Sequence, residues 1–122
     1  MAGTPRDIPL EVVASACPRG DGALARAFGF LGKRWNAVLL GILRGGPTGF
    51  RDLSRAIGRI SDSVLSDRLA ELTRAGLITR TVEVGPPVSV SYALTDCGKA
   101  LIPALDQISM WAQQHLPPVA EP

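Results

Sequence analysis

Apolar residues recur every three or four positions in five stretches of the chain and at every second position in a sixth. From Asp21, the positions Leu24, Phe28 and Leu31 mark a first helical stripe that ends near Gly32. A second begins around Lys33-Arg34-Trp35, carries Val38, Leu39, Ile42 and Leu43, and stops at Gly45-Gly46-Pro47. Phe50, Leu53 and Ile57 predict a short third helix. Leu65, Leu69 and Leu72 predict a fourth, over residues 61–75, after a break at Gly58-Arg59-Ile60. Ser61 or Asp62 can cap this fourth helix, because a short polar side chain accepts from the open first-turn N–H groups. Gly76 suits its end, since glycine takes the left-handed position without a Cβ clash. Two short amphipathic helices around a glycine-containing turn predict a helix-turn-helix.

The period then changes. Residues 77–84 are rich in β-branched side chains, Gly85-Pro86-Pro87 turns the chain, and Val88, Val90, Tyr92 and Leu94 alternate with Ser89, Ser91 and Ala93. This predicts a two-stranded hairpin over 77–94 with one apolar face. Thr95 caps a last helix that runs to about His115, with Leu101, Leu105, Ile108 and Ala112 on one stripe, flanked by Ile102 and Trp111. Pro103 inside it removes one backbone bond and is expected to kink it, and Pro117-Pro118 ends it. The fold class is α+β, mainly α: a winged helix-turn-helix with a hairpin wing and a long C-terminal helix. Residues 1–21, with Pro5, Pro9 and Pro18, read as a flexible N-terminal arm, 22–116 as the folded domain and 117–122 as a tail.

At about 100° per residue, the fourth helix turns Leu65, Leu69 and Leu72 inward and Ser63, Ser66, Asp67, Ala70 and Arg74 outward. That outer face is small and polar enough to lie closely against a nucleic-acid groove. Ser63, Ser66 and Asp67, near the helix N-terminus, are the candidate base readers, with Asp62 at the edge of the face. Arg68 at the flank, with Arg51 and Arg55 on the preceding helix, can reach phosphates. Arg80 at the base of the wing and Ser89 near its tip are expected to make weaker contacts.

Composition sharpens this picture in one respect. The chain has 122 residues and a net charge of only +2, but residues 26–80 hold ten Arg or Lys against Asp52, Asp62, Asp67 and Glu71. Residues 81–122 hold Lys99 against Glu83, Asp96, Asp106 and Glu121. A basic middle with acidic flanks suits a surface that faces phosphates. Hydrophobic residues make up 46% of the chain, and the apolar stripes of the first and last helices call for a cover, most simply a twofold-related copy of the same chain. No apolar run approaches the roughly 20 residues that span a bilayer, and no secretion signal is present, so the chain reads as cytoplasmic.

Catalytic and metal chemistry find no support. Cys17, Cys97 and the single His115 lack metal-ligand spacing, no phosphate-binding glycine loop follows a strand, and no serine has a histidine base. No cofactor is expected. Phe28, Trp35, Tyr92 and Trp111 are the candidate lining of an effector pocket, Trp35 being also a natural core anchor. Cys97 falls in the first turn after Thr95, where helix N–H groups favour a thiolate and Asp96 opposes it. With Cys17 it forms the candidate redox pair of sites.

The blocks Ala23-Leu24-Ala25-Arg26-Ala27-Phe28, Gly32-Lys33-Arg34-Trp35, Leu43-Arg44-Gly45-Gly46-Pro47, Phe50-Arg51-Asp52-Leu53, Val64-Leu65-Ser66-Asp67-Arg68-Leu69, Ala75-Gly76-Leu77-Ile78, Pro86-Pro87 and Tyr92-Ala93-Leu94-Thr95, with Trp111, occur here in order. In order and spacing they resemble the HxlR-type winged helix-turn-helix transcriptional regulators of bacteria and archaea, over about residues 22–116. The resemblance implies a homodimer joined through first and last helices, double-stranded DNA with an inverted repeat as partner, repression as the usual outcome, and association with the nucleoid through that DNA. The chain departs from the family in three places. Gly22 stands where many members carry a cysteine, through which some sense electrophiles or oxidants. Val88-Ser89 leave the wing tip uncharged. Asp67 and Asp62 make the reading helix acidic, so phosphate attraction falls to Arg34, Arg51, Arg55, Arg59, Arg68 and Arg80. The alternative reading is a winged helix that binds a protein partner instead of DNA.

Overall fold

A computed structural model describes residues 21–118, so nearly all of the expected arm, with Cys17, and the end of the tail lie outside the described residues. The chain divides into two compact units after Arg34. The first contributes helix α1 (Asp21–Leu31), at the position that the stripe of Leu24, Phe28 and Leu31 predicts. Within it Gly32 N–H donates to the Phe28 carbonyl at 3.1 Å, closing the last turn.

The second unit contains α2 (Asn36–Leu43), β1 (Thr48–Gly49), α3 (Phe50–Ile57), α4 (Asp62–Arg74), β2 (Ile78–Glu83), β3 (Ser89–Leu94) and α5 (Asp96–His115). Its core is almost entirely leucine. Leu39, Leu40 and Leu43 of α2, Leu53 of α3, and Leu65, Leu69 and Leu72 of α4 are all fully buried, joined by Leu77, Ile78, Tyr92 and Ile102. Removing this much apolar surface from water is the main term holding the helices together.

Helix ends follow the sequence rules in three places. Ser61, not Asp62, caps α4, its side chain accepting from Val64 N–H at 3.1 Å. Gly76 takes φ 83° just past the end of α4. Thr95 caps α5, accepting from Gly98 N–H at 3.1 Å and donating its own hydroxyl to the Gly76 carbonyl at 2.7 Å. Helix α5 is continuous through Pro103, as one missing N–H costs a single backbone bond.

Two features differ from expectation. Helix α2 starts at Asn36 and not at Lys33, because Trp35 adopts φ 82°, a left-handed conformation that stops a helix from extending backward through it. The sheet also has three strands in the order β1-β3-β2, not two. Strand β1 pairs Thr48 with Tyr92 and Gly49 with Ser91, while β2 pairs with β3 from Ile78↔Leu94 out to Glu83↔Ser89. This pins Tyr92 at the centre of the sheet and ties the wing to the start of α3. The apolar face of the hairpin is buried only near that base: Val84 and Val88 at the tip stand exposed.

Arg44, just after α2, clamps Asp106 on α5 through both carboxylate oxygens at 2.5 and 3.1 Å. The hydrogen bonds from Arg44 hold the Asp106 carboxyl below its usual range, against an opposing desolvation and with help from the charge of Arg44. A carboxyl lowered in the folded state contributes stability that is complete above the ordinary carboxylate range and is lost as pH falls through the folded value. Wild type is therefore expected to be more stable than Asp106→Asn near neutral pH, with the gap closing in acid. Urea midpoints measured across pH check this, and a gap independent of pH would contradict it.

Candidate nucleic-acid interface

Helix α4 presents its polar face to solvent for a simple reason. Leu65, Leu69 and Leu72 are held in the leucine core, so Ser63, Ser66, Asp67, Ala70 and Arg74 have nowhere else to point, and all are exposed. The side chains on this face are mostly short, and the backbone behind them is rigidly packed. The N-terminal end of the helix, where Ser63, Ser66 and Asp67 sit, is fixed by the Ser61 cap.

Helix α3 flanks this face with charge. Arg51 and Arg55 are both about three-quarters exposed, but neither stands alone: Arg51 pairs with Asp62 at 3.4 Å, across the turn to α4, and Arg55 pairs with Asp52. The Arg51–Asp62 pair qualifies the acidic character that the sequence gives this helix. The acid at the edge of the reading face is neutralised by a neighbour, whereas Asp67 makes no ion pair among the described residues. Exposed pairs of this kind are weak and are readily exchanged for phosphate contacts.

Arg68 is placed differently from the expected phosphate flank. Its side chain is only 23% exposed and lies 3.7 Å from Glu71 one turn on, and Glu71 also accepts from the Asn36 side-chain amide at 3.4 Å. Asn36, fully buried, thereby ties the start of α2 to the inner side of α4. Buried polar groups are worth keeping when they are bonded, and this one fixes the orientation of the helix that carries the exposed face.

On the far side of α4, Ser66, Ala70, Thr73 and Arg74 face Arg80 and Tyr92 across a cleft of about 480 Å³ between helix and sheet. Arg74 and Arg80 make no ion pair among the described residues. The sequence pattern gives Arg74 no role beyond facing outward; its place one turn beyond Ala70 on that face is the signal that points to the cleft. Of the other expected contacts, Arg59 and Ser89 are exposed in the turn before α4 and at the start of β3, and Arg34 is exposed after α1 in the first unit.

Four aromatic residues are expected at an effector pocket. Tyr92 lines the cleft just described, Trp35 is half-buried ahead of α2, Phe28 is 49% exposed on α1, and Trp111 is 53% exposed on α5, its ring 5.9 Å from that of His115. Cys97 is a free, exposed thiol in the first turn of α5. Among the described residues no three His, Cys, Asp or Glu side chains gather as metal ligands, and no helix is long and apolar enough to cross a membrane.

A capped helix with an exposed polar face, a preceding helix that carries arginines, and a hairpin beside it define a winged helix-turn-helix DNA-binding protein. The HxlR-like helix-turn-helix family matches residues 30–120, and the chain belongs to that family of transcriptional regulators. It is 40% identical over 102 residues to the uncharacterized HTH-type transcriptional regulator YvaP of Bacillus subtilis, covering 84% of this chain and 91% of YvaP. To the HTH-type transcriptional regulator YodB of the same organism it is 36% identical over 102 residues, covering 84% of this chain and 88% of YodB. The solved reduced form of YodB superposes with a TM-score of 0.72 at 36% identity, covering 80% of this chain and 96% of that one. The redox regulator HypR in its reduced form gives a TM-score of 0.72 at 26% identity, covering 75% of this chain and 91% of that one.

Proposed function

We propose that this regulator acts as a homodimeric repressor on an inverted-repeat operator, with residues 22–116 as its DNA-binding and dimerisation domain. The observation that carries the reading is the face of α4, where Ser63, Ser66 and Asp67 stand exposed at a capped N-terminus over a buried leucine row. In the major groove these side chains reach base edges: hydroxyls to either partner, and the Asp67 carboxylate to a cytosine amine. Arg74 and Arg80 line the cleft between helix and wing, where a phosphate backbone strand fits, while Arg51 and Arg55 meet phosphates on the other side. Arg68 acts indirectly, by holding in place Glu71, the α4 residue that accepts from Asn36 of α2. Two copies would set the reading helices about 34 Å apart, one turn of duplex. The exposed Ile108, Met110, Trp111 and Leu116 around the end of α5 support the second copy, since so much apolar surface on one terminal helix favours burial.

Two sets of variants test the assignment of roles. Ser66→Ala and Asp67→Ala are expected to change the ranking of operator variants by about 1–3 kcal/mol while leaving the salt dependence of binding nearly unchanged. Arg74→Ala or Arg80→Ala is expected to weaken binding to all duplexes alike and to lower the slope of log affinity against log salt by about one for each phosphate no longer neutralised. Competition binding over a panel of operator variants reads both. If the Ser66 and Asp67 variants rank operators as wild type does, α4 is not the reader and specificity comes from DNA shape.

A further inference from the structure

A second cleft, of about 500 Å³, lies away from the α4 face, between the turn that follows α2 and the first half of α5. Its lining is mostly apolar, from Leu43, Pro47, Leu94 and Ile102, with Arg44 and Lys99 as the charged members. The sequence explains the space. Among the described residues, a Cβ at Gly46 would meet no atom within 4 Å and one at Gly45 only the Ile42 carbonyl oxygen at 3.7 Å, so no described side chain fills the gap that these two residues leave. Gly46 also holds φ 125°, which excludes most replacements that could fill it. The volume falls within the roughly 300–1,000 Å³ usual for small-molecule sites, and the combination of apolar walls with a few polar groups is usual for them too.

The charges select the ligand. Arg44 commits two donors to Asp106, at 2.5 and 3.1 Å. A guanidinium has five N–H donors, so others stay available for a second carboxylate. Lys99 makes no ion pair among the described residues, even with Asp96 one turn earlier on α5. The cleft is thus left with uncompensated positive charge beside an apolar surface. A neutral molecule would leave Lys99 unanswered, and a polyanion would gain little from walls of Leu43, Leu94 and Ile102.

We propose that this cleft binds a small monocarboxylate with an apolar body. Its carboxylate lies between Lys99 Nζ and the remaining donors of Arg44, and its body rests on Leu43, Leu94 and Ile102. The site is separate from the four aromatic residues considered above. Because Arg44 joins the end of α2 to Asp106 on α5, a bound carboxylate shares the group that links those two helices, which gives the ligand a direct hold on their packing.

Calorimetric titration of the full chain tests the site without DNA, so its outcome is independent of how the operator is read. Phenylacetate and hexanoate serve as probes, with phenylacetamide and hexanamide as neutral counterparts of equal shape. Both acids are expected to bind, and the amides about tenfold more weakly or not at all, as a charge-assisted hydrogen bond is lost. Lys99→Gln, an exposed position whose variant should melt as wild type does, is expected to weaken phenylacetate about tenfold, while Lys99→Arg, which keeps the charge, retains binding. Absence of binding by both acids at millimolar concentration, equal affinity for acid and amide, or a Lys99→Gln protein that binds as wild type does would each overturn the proposal.

Discussion

Replacing Gly98 with alanine is expected to destabilise the fold by roughly 3 kcal/mol, at the upper end of what overpacking usually costs. A Cβ at this position would lie 2.2 Å from the Leu77 carbonyl oxygen, and 3.2 Å from both the Leu77 carbonyl carbon and Leu94 Cδ2. The oxygen is backbone, and it is already engaged as acceptor of the Thr95 N–H at 3.0 Å, so it cannot step aside without breaking the link between α4 and the start of α5. A flexible side chain could yield here; a pinned carbonyl cannot. The same substitution at Gly41 in α2 is expected to have the opposite sign, a gain of roughly 0.5–1 kcal/mol from helix propensity, because a Cβ there meets nothing within 4 Å. Urea unfolding of the two variants beside wild type measures both effects, and equal stabilities would contradict the close approach at Gly98.

The second large effect belongs to the row of leucines behind the exposed face of α4. Leu69→Ala is expected to cost roughly 2–5 kcal/mol, from lost burial and from the cavity left in a packed core. Leu69 is 1% exposed and sits between Leu65 and Leu72, which are equally buried. Domains of this size hold only about 5–15 kcal/mol in total, so this single truncation removes a large share of the stability. Its neighbour Ala70 lies on the exposed side of the same helix, and Ala70→Ser is expected to stay within about 0.5 kcal/mol. Thermal or urea unfolding of the pair distinguishes inner from outer face one residue apart. A small loss for Leu69→Ala would mean that α4 does not rest on this core.

The elements carrying strong periodicity or a cap were legible in the sequence. Leu65, Leu69 and Leu72 fixed both the extent and the two faces of α4, Thr95 marked the start of α5, and the alternation from Val88 to Leu94 marked the hairpin. Strand β1 was not legible, because two residues, Thr48 and Gly49, leave no period to detect and owe their pairing to Tyr92 and Ser91, more than forty residues away along the chain. The start of α2 was misplaced because Trp35 takes a left-handed backbone that its residue type does not advertise. The half-buried place of Arg68 was equally hidden, because the pattern that puts it at the flank of the helix does not say that its side chain lies along Glu71. Gly98 read as one more residue in a helical run, although its lack of a side chain is what lets α5 approach Leu77. Pairing among charges was equally invisible. The sequence shows two acids, Asp62 and Asp67, on this helix, but only the structure gives Asp62 to Arg51 while leaving Asp67 exposed.

These pairings bear on how strongly the surface attracts DNA. Arg51 and Arg55 are each ion-paired, whereas Arg74 and Arg80 make no ion pair among the described residues, so under the proposed function the cleft between helix and wing would supply the cations that need no rearrangement. DNA binding is tested most directly with the full chain and duplexes from the intergenic regions next to its own gene, at several salt concentrations. Preference for one duplex over random sequence is expected, with a linear fall of log affinity against log salt and a slope of about −0.9 for each phosphate neutralised. No binding to any duplex at low salt would contradict the proposed role and would favour a winged helix that serves a protein partner instead.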